Sequence, residues 1–212
     1  MTHPYRSVYI LRMKTKQADQ SRSTILQSAF CEIHRKGYQA ASIANILHDT
    51  GLTKGALYHH FPTKQSLGIA VVDEIIGERL AKLLFEPIRQ SERPIDALLH
   101  LISHIDKQVP ADFVMLGCPL NNLMQEMSAL NPEFKSSLNG ILKQWRDTIE
   151  WALVTGQKQN DIRSDVDAKS AALFIVSAWE GCIGIAKNMQ SNSAFKSCMK
   201  QLHGYLAGLR TD

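Results

Sequence analysis

Residues 53 to 64 gather side chains suited to holding phosphate and reading base edges rather than to breaking bonds. Thr53 and Thr63 offer hydroxyls, Lys54 and Lys64 ammonium groups, Tyr58 a phenol, and His59 and His60 imidazoles, while Gly55 and Ala56 keep the space among them open. Ammonium, hydroxyl and unpaired backbone N–H groups bind phosphate oxygens, and small side chains permit close approach to base edges or a methyl contact. Each residue also has a plainer role. Thr53 and Thr63, like Ser42 upstream, stand where they would cap helices. Gly55 and Ala56 fit wherever two helices lie close, Tyr58 can rest on a small core, and adjacent imidazoles can satisfy local carbonyls without holding a metal.

Charge favours the phosphate reading. Residues 1 to 64 carry nine Lys and Arg against three Asp and Glu, whereas the remainder carries fifteen against seventeen. A basic amino end of this kind fits a polyanion-binding module. Elsewhere the chemistry is thinner. Asp96, His100 and His104 share one helical stripe at metal-ligating spacing, but it lies opposite apolar Leu98, Ile102 and Ile105, where a solvated face is the simpler account. No GxGxxG, P-loop, HExxH or GxSxG pattern occurs, so neither catalysis nor a cofactor is expected. Cys31, Cys118, Cys182 and Cys198 lie far apart without a CxxC pair, which predicts no zinc knuckle and no disulfide framework and suits a reducing compartment. With no adjacent Lys or Arg, Cys118 reads as an inert thiol.

The elements that must position these groups are helical. At 212 residues, 44% apolar and 21% charged, the composition is that of a globular protein of one or two domains. Its clean apolar runs fall short of the ~18 residues that cross a bilayer, and no secretory pattern opens the chain. A cytoplasmic location without a membrane partner is expected. Residues 1–18 lack sustained periodicity and are expected to form a flexible arm. Ser23, Ile25, Leu26, Ala29, Phe30 and Ile33 then set an apolar stripe on a first helix ending at Gly37. Ser42 caps a short second helix, Gly51 breaks it, and Thr53 caps a third that runs to Phe61, which reads as helix-turn-helix. Pro62 stops the third helix, Thr63 caps a fourth, and Leu67 through Leu84 carry it almost to Pro87. Further helices are predicted from Pro94 to Pro110 and near 119–128, 131–155, 167–188 and 193–209. No convincing strand intervenes.

The stretch from Thr24-Ile25-Leu26 through Ala29-Phe30, Gly37-Tyr38, Ser42-Ile43, Gly51 to Phe61 and Thr63 to Leu67 resembles the N-terminal domain of TetR-family transcriptional regulators over about 45 residues. Gly117-Cys118-Pro119-Leu120-Asn121-Asn122-Leu123 with Glu126 is similar to a segment of one broad subgroup. The resemblance implies an all-α fold: a three-helix DNA-binding domain over residues 19–66, joined by a long fourth helix to a ligand-binding and dimerisation bundle over 67–212. It implies DNA contacts by Ser42, Thr53, Lys54, Gly55, Ala56, Tyr58, His59, His60, Thr63 and Lys64, of which Tyr58 matches the tyrosine that reaches the backbone and His60 the family histidine. Gln65 departs from a frequent Glu without disturbing that face.

For the bundle, the same resemblance implies a pocket and a dimer made largely by the last two helices. Met115, Leu120, Asn121, Met124, Phe134, Leu138, Trp145, Phe174 and Trp179 are the candidate ligand residues, although the same side chains fill ordinary cores. Ala171, Ala178, Gly181 and Gly184, small beside large residues, are candidates for close packing between two copies. The function expected is a homodimeric repressor released from a palindromic operator by a small molecule. A helical adaptor, or an enzyme, is the alternative.

Overall fold

A computed structural model describes the backbone of residues 4–109 and 111–211 and the side chains from Asp19 onward, apart from those of 110–112 and 212. Among the described residues the chain is all helical, with one isolated antiparallel bridge between Ile162 and Arg210 in place of any strand. It packs as two compact units, one up to Ile75 and one from Ile76. The division falls beyond residue 66 because the first turns of the fourth helix, through Leu67, Val71 and Val72, are buried.

In the first unit, α1 (Pro4–Lys36) buries Ile25, Leu26, Ala29, Phe30 and Ile33 and ends at Gly37, whose φ of +85° no other residue type adopts cheaply. The helix is continuous from Pro4, across most of the stretch expected to form a flexible arm. Met1, Thr2 and His3 lie outside the described residues. Pro suits a first helical position, and the Arg, Lys, Leu, Met and Gln that follow have high helix propensity even without an apolar stripe.

Two short helices, α2 (Ile43–Leu47) and α3 (Lys54–His60), flank the turn at Gly51, where φ is +67° and nothing lies within 4 Å of an added Cβ. Backbone conformation, not crowding, requires glycine there. The N-caps fall where the sequence places them: Ser42 accepts from the Asn45 N–H, Thr53 from that of Ala56, and Thr63 from that of Ser66 in a reciprocal capping box. Ile46, Leu47, Leu57 and Phe61 complete the small core.

Two polar ties hold it. Glu32, 3% exposed, accepts from Asn45 Nδ2 at 2.8 Å and pairs with Arg35 at 2.7 Å and Lys36 at 3.1 Å, which ties α2 to α1. The Asn45 and Arg35 donors pull its carboxyl down to about 2. Arg22 clasps Glu74 through two bonds of 2.5 and 2.6 Å, and its guanidinium lies 5.0 Å from the centroid of the Phe61 ring.

The fourth helix, α4 (residues 64–89), is helical throughout but widens into π turns over Val71–Gly77 and Ala81–Phe85. It runs past Pro87 to Arg89, beyond the expected stop. A π turn just before a proline re-routes the backbone ladder where the ring removes a donor.

The second unit adds α5 (Pro94–Gln108), α6 (Ala111–Leu116), α7 (Pro119–Met127), α8 (Pro132–Lys158), α9 (Ala168–Met189) and α10 (Asn192–Ala207). The short α6 lies between Pro110 and Pro119, where the sequence reading places no helix. Trp145 of α8 meets Trp179 of α9 edge-on at 5.7 Å, with Phe134, Leu138, Ile149 and Phe195 buried in the same unit. Arg210 pins the chain end by pairing with Asp96 at 2.9 Å and with Asp161.

Two features depart from the sequence reading. Cys182 of α9 and Cys198 of α10 form a disulfide, against the expectation of widely spaced cysteines without a disulfide framework. The pairing arises from hairpin register: α9 turns at Gln190 into α10, and positions 16 apart in sequence come to face each other with Cα atoms 5.5 Å apart. By length and composition α9 could also cross a bilayer. Its apolarity has another use, since Ala172, Ile175, Val176, Trp179 and Ala186 are buried inside the unit.

Amid that apolar helix sits Glu180, 6% exposed, with the Cys118 thiol, a weak donor, against its carboxyl. Burial pushes its carboxyl up to about 7. Burial and the Glu180 charge together push the Cys118 thiol well up, which keeps it protonated.

These two carboxyls make opposite contributions. A depressed folded-state value means that Glu32 stabilises above the unfolded carboxylate value of 4.5 and that this contribution is lost as pH falls through about 2. Glu32→Gln should cost about 2 kcal/mol at neutral pH in chemical denaturation, the scale of a hydrogen bond to a charge, with the deficit shrinking in acid. A raised value means that stability from Glu180 is full below 4.5 and lost as pH rises through about 7. Glu180→Gln should therefore be more stable than the parent at pH 8 and should flatten the decline between pH 5 and 8, which thermal melts over that range would measure.

Candidate nucleic-acid interface and signal-receiving unit

On α3 the exposed side chains are those of Lys54, Gly55, Tyr58 and His59, with Thr53 exposed at the cap. Leu57 points the other way and is fully buried. The alternation follows from helical period: one buried leucine anchors the turn, and positions on either side project outward. Tyr58 is 46% exposed, which is high for a residue that would merely complete a core. The His59 and His60 rings meet edge-on at 5.2 Å, and His60 is half-buried against Phe61.

Gly55 settles one alternative. A Cβ added there would meet only the Thr53 hydroxyl, at 3.7 Å, so no neighbouring helix of this chain requires a glycine. Thr53 and Thr63 do cap, and both remain exposed. Ser42 is half-buried and committed to Asn45. In the single chain Lys64 Nζ donates to the Gln39 carbonyl at 3.1 Å and lies 4.7 Å from the centroid of the Tyr38 ring. This side chain clamps the loop between α1 and α2 to the start of α4, a tie invisible in the sequence because it joins positions 25 apart.

In the second unit the candidate ligand residues divide. Leu120, Phe134, Leu138, Trp145 and Trp179 are buried in its core, whereas Met115, Asn121 and Met124 are half-buried. Phe174 is not with them: it is 50% exposed and stacks edge-on against Tyr205 at 4.6 Å. A hollow of about 310 Å³ lies between α5 and α10 and is lined by Ile102, Asp106, Phe195, Lys196, Met199 and His203 among others. None of the nine candidate residues lines it. Sequence reasoning also missed Glu180, although a lone carboxylate inside an apolar helix was a legible signal.

At the junction of α6 and α7, Gly117 has φ +84°, and a Cβ there would come within 2.7 Å of Lys187 and 2.9 Å of Asn122. Asn122 bridges the Leu116 carbonyl and Lys187 Nζ, each at 2.9 Å, so its role is local scaffolding. His100 and His104 stack at 4.1 Å while Asp96 is engaged by Arg93 and Arg210. Among the described residues no three metal-ligating side chains converge.

Of the four small residues expected between copies, Ala171 is buried within its own unit and faces the core. Gly181 is exposed with nothing within 4 Å of its Cβ position, and Ala178 and Gly184 are half-buried on the same helix. Around them Leu173, Phe174, Ile185 and Met189 of α9 and Tyr205 of α10 stand exposed.

Comparison with known proteins gives this geometry its family. Residues 25–71 match the bacterial regulatory proteins of the tetR family, and residues 94–202 match the tetracyclin repressor-like C-terminal domain. The transcriptional regulator AcuR of Cereibacter sphaeroides is 27% identical over 171 residues, 80% of this chain and 78% of that protein. The HTH-type transcriptional repressor DhaR of a Mycobacterium species is 26% identical over 155 residues, 70% and 73% of the two chains. The crystal structure of regulatory protein TetR from Rhodobacter sphaeroides superposes with a TM-score of 0.77 at 24% identity, covering 87% of this chain and 98% of that one. With matched domains spanning both units, the chain belongs to the TetR family of bacterial regulatory proteins and is a DNA-binding transcriptional regulator.

Proposed function

We propose that this regulator is a homodimeric repressor that reads a two-fold symmetric operator with α3 and releases it when a small molecule binds the second unit. The observation that carries the reading is Gly55. It is exposed, sits in a helix where glycine costs stability, and has no intramolecular neighbour that excludes a side chain. Its missing side chain serves an external surface, and the major groove, about 12 Å wide, is the surface that admits a helix. Thr53 and Lys54 then meet phosphate at the amino end of α3, Tyr58 contacts the backbone, His59 faces base edges, and the Thr63–Lys64 peptide offers its N–H to a second phosphate.

A second copy is the occupant proposed for the exposed apolar face of α9 and α10. Leu173, Phe174, Ile185, Met189 and Tyr205 surround open Gly181, a combination of large and small side chains that allows two helix pairs to pack closely. Two copies supply the paired heads that half-sites about 34 Å apart require. Regulation proceeds by binding, not catalysis: an effector that prefers one conformer lowers operator affinity by its differential affinity for the two. The continuous helix over residues 64–89 is the covalent path for that coupling.

Selection of duplexes from a random-sequence pool by the purified protein tests the reading. Enrichment of a two-fold symmetric site is expected, and recovery of no preferred sequence would refute it. On the selected duplex, Gly55→Leu should weaken binding about tenfold or more while raising folding stability by about 0.5–1 kcal/mol, a pair of opposite signs measurable by titration and denaturation. The double variant Leu173→Asp/Phe174→Asp should sediment as a monomer and lose tight binding while retaining its helical circular dichroism.

A further inference from the structure

The Cys182–Cys198 bond stands apart from everything the regulator reading uses. It joins α9 to α10, the two helices that present the exposed apolar face, and it lies within the same hairpin as the Phe174–Tyr205 contact. Cys182 is 2% exposed, whereas Cys198 is only half-buried. A transcriptional regulator meets its DNA where glutathione-type and thioredoxin-type systems keep thiols reduced, and disulfides found in that setting are usually transient and redox-sensing. The unit is already organised by a large apolar core, so a staple is not needed to compensate for small size.

We propose that Cys182 and Cys198 are a reversible redox modification site through which hydroperoxides regulate DNA binding, an inference that rests on the regulator reading. The chemistry balances within the pair. Cys198, the accessible member, attacks the outer oxygen of the hydroperoxide as its thiolate; the O–O bond breaks, the alcohol or water leaves, and Cys198 becomes a sulfenic acid. Cys182 then attacks that sulfur, the S–S bond forms, and the sulfenic oxygen departs as water. The two thiols lose two electrons and two protons, and the peroxide is reduced to alcohol and water. Two equivalents of a low-molecular-weight thiol reverse the reaction through a mixed disulfide. Closing the bond fixes α9 against α10 and with them the arrangement of Leu173, Phe174, Ile185 and Tyr205, so the redox state sets the face on which the second copy docks.

The test compares the full-length protein reduced by dithiothreitol with the same protein treated with hydrogen peroxide. Intact mass and thiol alkylation read the pair, and titration on the pool-selected duplex reads affinity. The expected result is a loss of about 2 Da and of two alkylatable thiols on oxidation, reversed by thiol. Operator affinity should shift by about tenfold or more between the two forms, in the range of ordinary coupling between sites. The shift should vanish in Cys182→Ser and in Cys198→Ser and persist in Cys31→Ser, which removes the exposed free cysteine. A bond that native protein retains in excess thiol, or that peroxide never forms, would overturn the proposal. Equal affinity of the two wild-type forms would overturn it while leaving the regulator reading intact, and this comparison needs no variant to fold. Absence of duplex binding in both forms would instead overturn the regulator reading and the proposal together.

Discussion

Helices of five and seven residues do not persist in water on their own hydrogen bonds, because nucleation costs more than so few bonds return. Everything proposed for DNA recognition depends on how the rest of the first unit meets that constraint. Each short helix receives a side-chain cap, each buries one or two large apolar residues against α1, and α2 is tied down by the buried Glu32–Asn45 bond. The Arg22–Glu74 clasp over Phe61 performs the same service at the far end of α3. The outward face of α3 is then left open around Gly55, where an added Cβ would meet only the Thr53 hydroxyl.

The second unit solves a different problem, because α9 is apolar on nearly every side. One face enters the core with Ile175, Val176 and Trp179, and the opposite face presents Leu173, Phe174 and Ile185 to solvent in a single chain. Such a helix gains from a partner on the open side. Glu180 works against this economy: its burial, with the weak Cys118 thiol donor against it, costs stability whenever it ionises, and its raised titration near neutral pH is the consequence.

Most of the helix boundaries were legible because they rest on local chemistry. Ser42, Thr53, Thr63, Asn131, Asp167 and Ser191 cap helices through their own side chains, and Gly37, Gly51 and Gly117 mark backbone conformations that glycine adopts at least cost. What sequence reading missed was tertiary. The clamp of Lys64 on Tyr38 and Gln39 and the meeting of Cys182 with Cys198 depend on which residues a register brings together. Periodicity separated the buried from the exposed side of α3 well, yet on α9 it could not tell the core face from the open face, since both are apolar. In the single chain Ala171 lies on the buried side of that helix and Phe174 on the exposed side.

The central claim is that the outward face of α3, held from beneath by α1, is the surface that meets DNA. Amide chemical-shift mapping of isotope-labelled protein titrated with its selected duplex tests this directly. The account predicts that the largest perturbations fall on residues 53–60 and on the Thr63–Ser66 turn, with buried Leu57 shifting less than Gly55 and His59 on either side. Perturbations that leave α3 unchanged and gather in the second unit would contradict it.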